Sequence, residues 1–502
     1  MTAPRPTGIA SALRSPLLPL VIPVAIVLGA AALTPVAEFA RNQGDVRLYF
    51  DNARAFVEGQ TPYAQVPLEY PPLALVPMLV PYRVMPDGQP TFDEYAWLFA
   101  GWEALLVLAL GFVLVRVARL GGIESGRRDP AWTVVLRYPV LVAGAALTIA
   151  WRFDLFAALW LAVALWATLA NRPTAAGIAL GLGVLAKLFP IVAAPALAIA
   201  WLAPRDDGRL VRFGLATVLT VVVGLAPFVA MAGTETLSFL GYQAQRGLEV
   251  ESIGAGVVLL DGLVRGQPVE MHSPFKAVEV FGPLAQSWLS LLPLLAAGGF
   301  GALAFGAWRK VRSELGAVGR VSTETVATLS GAAVMVLLVT SKVFSIQYVV
   351  WLLPFAVLLS RWRFWLAAAV VALTMPIHPF LFAGLIAQEP VPILILNLRN
   401  ALLVALTVWV VVDVWRAGTR PGDGREEWRA RRDSNPRPSG PQPDALSAEL
   451  RARDGESGQP PVRVALRSPR TKAELRDAIG PRTIWRRGRD SNPRSRLPHL
   501  TV

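Results

Sequence analysis

The sequence predicts an all-α polytopic membrane protein, a bundle of about 12 transmembrane helices, and two observations carry that prediction. The chain has 502 residues, 54% hydrophobic and 17% charged, with a mean hydropathy of +0.48; a soluble globular protein of this length is not so apolar. Apolar runs approaching the roughly 20 residues needed to cross the hydrocarbon core recur from about residue 15 to residue 415, and none follows. Cysteine is absent, which excludes disulfides, thiolate metal sites and cysteine nucleophiles.

The first run, Leu17 to Leu33, follows Arg5 and Arg14 but lacks a small-residue cleavage site, so it reads as a retained anchor. The expected helices are 17–36, 95–115, 132–150, 154–170, 174–186, 190–203, 212–232, 281–307, 323–340, 346–360, 363–386 and 391–415. Arginine and lysine then fall on one side, in loops carrying Arg116, Arg119, Arg127 and Arg128, then Arg172, then Arg205, Arg209 and Arg212, then Arg309, Lys310, Arg312 and Arg320, then Arg361 and Arg363. By the positive-inside rule that side, with both termini, is cytoplasmic in a plasma-membrane protein. The opposite side receives the 41–94 loop, the "WRFD" and "KLFP" turns, the 233–280 loop, the "SKVFSIQY" turn and the region of His378. Ionisable residues in apolar surroundings are costly and mark pathways or sites, so a site is expected to face outward.

Between Val46 and Val57 the apolar residues Val46, Leu48, Tyr49, Phe50, Ala53, Phe56 and Val57 largely follow helical spacing, with Arg47, Asp51, Asn52 and Arg54 elsewhere. This predicts an amphipathic helix along the membrane interface, with Asp45 as its N-cap and Gly59 as its C-terminal stop. Asp45 reads both as a cap and as a general base, since a carboxylate near a helix N-terminus is held charged and aimed. "EYPP", Glu69 to Pro72, is expected to be extended, because Pro71 and Pro72 fix φ and restrict their predecessors.

An Asp soon after the first helix, then Tyr49, then Gly59, Pro62 and Tyr63, then "EYPP" resemble the polyprenol-phosphate-mannose-dependent α-mannosyltransferases of glycosyltransferase family 87. The resemblance continues in order through "WRFDLFAAL" (151–159), "LAKLFPIVAAPAL" (185–197), "QRGLEVES" (245–252), "SKVFSIQYVVWLLP" (341–354) and "LRNALL" (398–403). It covers about residues 15–415 and implies a GT-C-like transmembrane domain over 1–415. It further implies inverting transfer of a hexose, mannose foremost, from a polyprenyl-phosphate sugar donor to a lipid or glycan acceptor of the cell envelope. Membrane lipids are expected partners, and no cofactor or metal is expected.

Within that resemblance Asp45 is the candidate base. Lys187, Arg246, Lys342 and Arg399 are the candidate cations for the donor phosphate, guanidinium forks and ammonium groups both serving there; Gln347 is a candidate hydrogen-bonding partner for sugar or phosphate. Tyr49, Tyr63, Glu69, Tyr70, Arg152, Asp154, Glu251, Tyr348 and His378 are candidate substrate contacts. Each carries a structural alternative. Lys187 and Lys342 read equally as snorkelling cations, Arg246 as pairing with Glu249 or Glu251, and Arg399 as pairing with an aspartate or with carbonyls in the bundle. Arg152 and Asp154 are expected to form an ion pair with each other, and His378 to be a structural imidazole at a helix kink.

Of the net charge of +13, nine units lie beyond Trp415, where 20 Lys+Arg face 11 Asp+Glu, so the basic balance describes the tail and calls for no nucleic-acid partner. Residues 416–502 read as a disordered tail rich in Arg, Pro, Gly and Ser. "RDSNPR" occurs twice there, at 432–437 and 489–494, as it would if the reading frame ran through transfer-RNA genes; the rival reading is a basic cytoplasmic tail. A lipid-linked-sugar flippase or transporter would also have about twelve helices, but no inverted repeat is evident and the polar residues gather at one face instead of the midplane.

Overall fold

In the computed structural model the described residues are 17–33, 45–85, 88–121, 130–202, 207–275 and 277–417. Its first helices are α1 (Val21–Leu33), α2 (Asp45–Val57), α3 (Leu75–Arg83), α4 (Phe92–Gly121), α5 (Pro130–Gly144) and α6 (Ala146–Trp151). Then come α7 (Asp154–Leu169), α8 (Pro173–Ala186), α9 (Ala194–Ala198), α10 (Asp207–Ala232), α11 (Ser238–Gln245) and α12 (Ile253–Arg265). The remaining described helices are α13 (Pro283–Val318), α14 (Thr323–Thr340), α15 (Leu353–Ala356), α16 (Arg361–Ile377), α17 (Phe382–Ile386) and α18 (Pro390–Ala417).

The fold is all-α and polytopic. Among the described residues, five stretches are long and apolar enough to cross a membrane: Phe92–Leu120, Gly208–Gln245, Pro283–Val318, Thr323–Thr340 and Pro390–Arg416. Shorter apolar helical stretches are Leu18–Leu33, Asp154–Leu169, Pro173–Ala186, Phe189–Trp201 and Ile346–Ala356. On α10 the exposed side chains Val218, Leu219, Val222 and Val223 form the surface a lipid environment covers.

Several boundaries follow from local chemistry. Thr91 and Glu94 make a reciprocal capping box before α4, the Thr91 amide donating to Glu94 Oε2 (2.8 Å) and the Glu94 amide to Thr91 Oγ1 (3.3 Å). Ser322 and Ser252 cap α14 and α12 by accepting from amides three residues on. Gly319 and Gly266 end α13 and α12 in left-handed conformation, which glycine adopts without a Cβ clash. Gly177 and Gly181, four apart on α8, let α10 approach so closely that a Cβ at Gly177 would run into the Phe213 carbonyl; this small-residue contact suits association inside a bilayer.

The helix expected over 132–150 is broken at Ala145 (φ −121°, ψ 11°) into α5 and α6. The segment expected over 190–203 is a 3₁₀–α–3₁₀ succession from Phe189 to Trp201, and that over 346–360 opens as a 3₁₀ helix, Ile346–Leu352. The 233–280 loop holds α11, α12 and a three-stranded antiparallel sheet of β1 (Leu248–Glu249), β2 (Met271–His272) and β3 (Glu279–Val280), ordered β1-β3-β2. The last helix runs to Ala417, so the tail expected from residue 416 lies, beyond that point, outside the described residues, as do Arg5, Arg14, Arg127, Arg128 and Arg205.

Candidate active site

Asp45 is the first residue of α2, and its Oδ2 lies 2.6 Å from Nη1 of Arg152. Arg152 stands in extended backbone (φ −137°, ψ 136°) between α6 and α7. Burial opposes its charge, but the neighbouring Asp45, Tyr49, Tyr70 and Asp154 outweigh burial and hold the guanidinium above its ordinary value. The expected pair between Arg152 and Asp154 does not form. Arg152 precedes the helix in extended geometry while Asp154 opens it, so the two side chains leave the turn in different directions.

Asp154 instead accepts on Oδ1 from Lys187 Nζ (2.6 Å) and Trp351 Nε1 (2.7 Å), and is 1% exposed. Lys187 leaves α8 in extended backbone and does not snorkel: it is 8% exposed. Its ammonium lies 5.1–5.5 Å from the ring centres of Tyr348, Phe153, Tyr70 and Trp351. The cage is stiff because Trp351 is stacked between Phe189 (4.0 Å) and Tyr348 (3.9 Å). Lys187 is thus paired with Asp154 and walled by rings.

The opening block packs onto this corner. Tyr49 and Tyr70 both set their rings on Phe153, at 5.3 and 4.9 Å. Tyr63, held in left-handed backbone (φ 68°), donates its hydroxyl to the Tyr70 carbonyl (2.8 Å) and so pins the 59–70 loop. Gly59, with φ 93°, ends α2 as its position predicts. Burial pushes the Tyr70 phenol up, and Glu69 adds to that. His378, at the end of α16, is buried against Phe382 with no partner for Nδ1; burial and the charge of Arg152 push its imidazole down to about 3.

A second corner lies along the same 342–351 segment. The sheet sets Glu249 opposite Glu279. Glu249 accepts from the Phe344 amide and the Ser345 hydroxyl, both at 3.0 Å. Glu251 accepts from the Ile346 amide (3.3 Å), and burial together with Glu249 pushes its carboxyl well above the ordinary range. Arg246 pairs with neither of these glutamates, contrary to expectation; Nε faces Glu279 Oε1 at 3.7 Å, because the antiparallel register brings β3 alongside. Arg246 is buried, and its Nη2 makes no hydrogen bond. Lys342 donates to the Ala244 carbonyl (2.8 Å) and is half-buried; burial pulls its ammonium down.

Arg399 on α18 is fully buried. It donates from Nη2 to the Glu251 carbonyl (2.7 Å) with its guanidinium 4.2 Å from the centre of the Phe344 ring. Beside it Asn400 donates to the Ser252 carbonyl (3.3 Å) and Asn397 to the Gly256 carbonyl (2.9 Å). The motif around Arg399 thus grips the loop through Nη2, while Nε and Nη1 make no hydrogen bond. Gln347 is half-buried between the corners.

Glu103 escaped the sequence reading. It sits on α4 with no exposed surface and no hydrogen bond to either carboxylate oxygen, close enough to Asp154 for the two to repel. Its signal was in the sequence as a lone acid within the apolar run "GWEALLVL".

No family model matches the chain. Over 179 residues, 34% of this chain, it is 31% identical to GPI mannosyltransferase 1 of Aspergillus fumigatus, and the match spans 39% of that relative. Among solved structures it is similar to ArnT from Cupriavidus metallidurans bound to undecaprenyl phosphate, with a TM-score of 0.43 and 16% identity over 80% of this chain and 78% of that one; this likeness does not by itself establish a common fold.

Proposed function

We propose that the protein is a membrane glycosyltransferase of the GT-C type that transfers a hexose, mannose foremost, from a polyprenyl phosphate to an envelope glycolipid or glycan at the outer face. One observation carries the reading: the segments whose sequence resembles a mannosyltransferase family, from residues 45–72, 151–154, 187–189 and 341–351, meet around the Asp45–Arg152 pair. The sequence match to a mannosyltransferase supports it, although that match spans 39% of the relative.

In this reading Asp45 is the base. Arg152 fixes Oδ2, and the carboxylate, 28% exposed, offers Oδ1 to an acceptor hydroxyl. The hydroxyl oxygen attacks the anomeric carbon as its proton passes to Asp45. The bond from that carbon to the phosphate oxygen breaks, the electron pair leaves with the polyprenyl phosphate, and the anomeric configuration inverts in one displacement. Arg246, with an open Nη2, and Lys342, which is half-exposed, hold the phosphate. Arg399 positions the loop that carries Arg246.

The test is sugar transfer by reconstituted protein, with polyprenyl-phosphate mannose and a panel of envelope glycolipids. Wild type transfers mannose, and Asp45→Asn, still folded, loses about 10²–10⁴-fold in rate. Equal transfer by both reduces Asp45 to a structural residue; no transfer by wild type removes the donor or the enzyme class, and transport assays follow.

A further inference from the structure

The C-terminal half of α13 is flanked by two apolar hollows, neither of which contains any residue of the candidate active site. The larger, about 740 Å³, lies between the Phe189–Trp201 segment, α13 and α14, with Ile199, Leu303, Ala304 and Leu329 among its walls. Among the described residues lining it, the one charged side chain is Arg312, beside Trp308. The smaller, about 440 Å³, lies between α13 and α18 and ends on Arg309, Trp415 and Arg416. Both hollows therefore combine an apolar trough with arginine and tryptophan contributed near one end of α13.

Arg312 is exposed, its guanidinium 5.7 Å from the Trp308 ring centre, and it forms no ion pair with a described residue. Its neighbour Lys310 pairs with Glu314 at 3.7 Å, so the two cations differ in what they leave available. A trough of this polarity in a membrane-spanning bundle takes an acyl chain. A guanidinium at its mouth with tryptophan beside it suits the phosphodiester at the end of that chain, since arginine presents a planar fork to phosphate and tryptophan settles at the headgroup level.

We propose that the hollow between Phe189–Trp201, α13 and α14 is a binding site for an anionic glycerophospholipid, one acyl chain in the trough and the phosphodiester on Arg312. The charge complementarity at one end selects an anionic over a zwitterionic headgroup, and the site stands independently of the proposed transfer activity.

Native mass spectrometry of the full chain tests this after exchange into phosphatidylcholine discs or into phosphatidylcholine discs doped with phosphatidylglycerol. Wild type retains phosphatidylglycerol in preference to phosphatidylcholine. Arg312→Gln, a surface change that leaves the fold intact, lowers that preference roughly fivefold, corresponding to about 1 kcal/mol per basic residue at an anionic surface. Ala304→Trp fills the trough and removes the adduct; if that variant does not fold, Arg312→Gln decides alone. Arg172→Gln is the control, another exposed arginine lying over a tryptophan, Trp166, but outside the hollow. Equal retention of the two lipids by wild type, or a loss in Arg172→Gln as large as in Arg312→Gln, overturns the proposal, the second because it would mean diffuse surface attraction. An undiminished adduct in folded Ala304→Trp also overturns it.

Discussion

The corner around Asp45 and the corner around Glu249 hold buried charge by different means. In the first, two carboxylates each have a cation at 2.6 Å: Asp45 meets Arg152 and Asp154 meets Lys187, and aromatic rings close the walls. In the second, two carboxylates are satisfied by backbone amides of the 344–346 segment, and the cations Arg246, Lys342 and Arg399 are left to one another's surroundings. Burial and the neighbouring Glu249 push the Glu251 carboxyl well above the ordinary range, which favours its neutral form beside the cations Arg246, Lys342 and Arg399. In one corner a paired carboxylate, Asp45, reaches solvent, and in the other Arg246 Nη2 and Arg399 Nε and Nη1 are buried donors without hydrogen bonds. Under the proposed function the first corner takes the proton and the second the anionic leaving group.

The largest effect that would break this comparison is at Lys187. If it is the structural partner of Asp154, Lys187→Met leaves a buried carboxylate without its cation and costs about 3–5 kcal/mol of stability. Lys187→Met combined with Asp154→Asn recovers most of that loss, because neither charge is then buried alone. Thermal unfolding of the three variants in detergent measures it. A stable single variant with a raised KM for donor would instead make Lys187 a phosphate ligand and erase the division between the corners.

A smaller effect sharpens the division from the other side. Arg246→Gln removes a charged donor from the corner proposed to bind the phosphate, and hydrogen bonds to charged groups are worth about 1.5–3 kcal/mol. The expected result is a rise of about 10–150-fold in KM for polyprenyl-phosphate mannose, together with a loss of thermal stability because the buried Glu279 loses the cation it faces; Arg246→Gln combined with Glu279→Gln recovers the stability but not the KM. An unaltered KM would reduce the second corner to scaffolding.

Much of this was legible in the sequence where a local rule acts alone. The expected helix 323–340 is α14 to the residue, because Ser322 caps it and the apolar run ends at Ser341. The expected helix 154–170 is α7 to within one residue. The pairing of charges was not legible. Proximity in sequence suggested Arg152 with Asp154 and Arg246 with Glu249, but an extended turn and a two-residue strand send each side chain to a partner more than 30 residues away. The sheet of β1, β2 and β3 was equally hidden, since strands of two residues have no periodicity to read. Lys187 misled for a different reason: at a helix end it matches a snorkelling cation, and only the convergence of four aromatic rings from distant segments makes it a buried one.

The smallest effect is a slope with pH, and the two corners set it in opposite directions. His378, beside Arg152, has its folded value lowered from 6.5 to about 3. As pH falls below 6.5 the unfolded chain takes up a proton that the folded chain refuses, so stability is lost from 6.5 down to about 3. Glu251 has its folded value raised above 4.5. As pH rises above 4.5 the unfolded chain releases a proton that the folded chain keeps, so its contribution is complete below 4.5 and is lost as pH rises through the folded value. In the pH window just above 4.5 the two contributions therefore have opposite slopes. Single variants uncover them: His378→Gln leaves a protein that loses stability as pH rises across this window, and Glu251→Gln one that loses it as pH falls. Thermal midpoints of the three proteins in detergent read the slopes directly. Slopes of the same sign in both variants would show that the corners do not hold their protons in the two different ways their geometry implies.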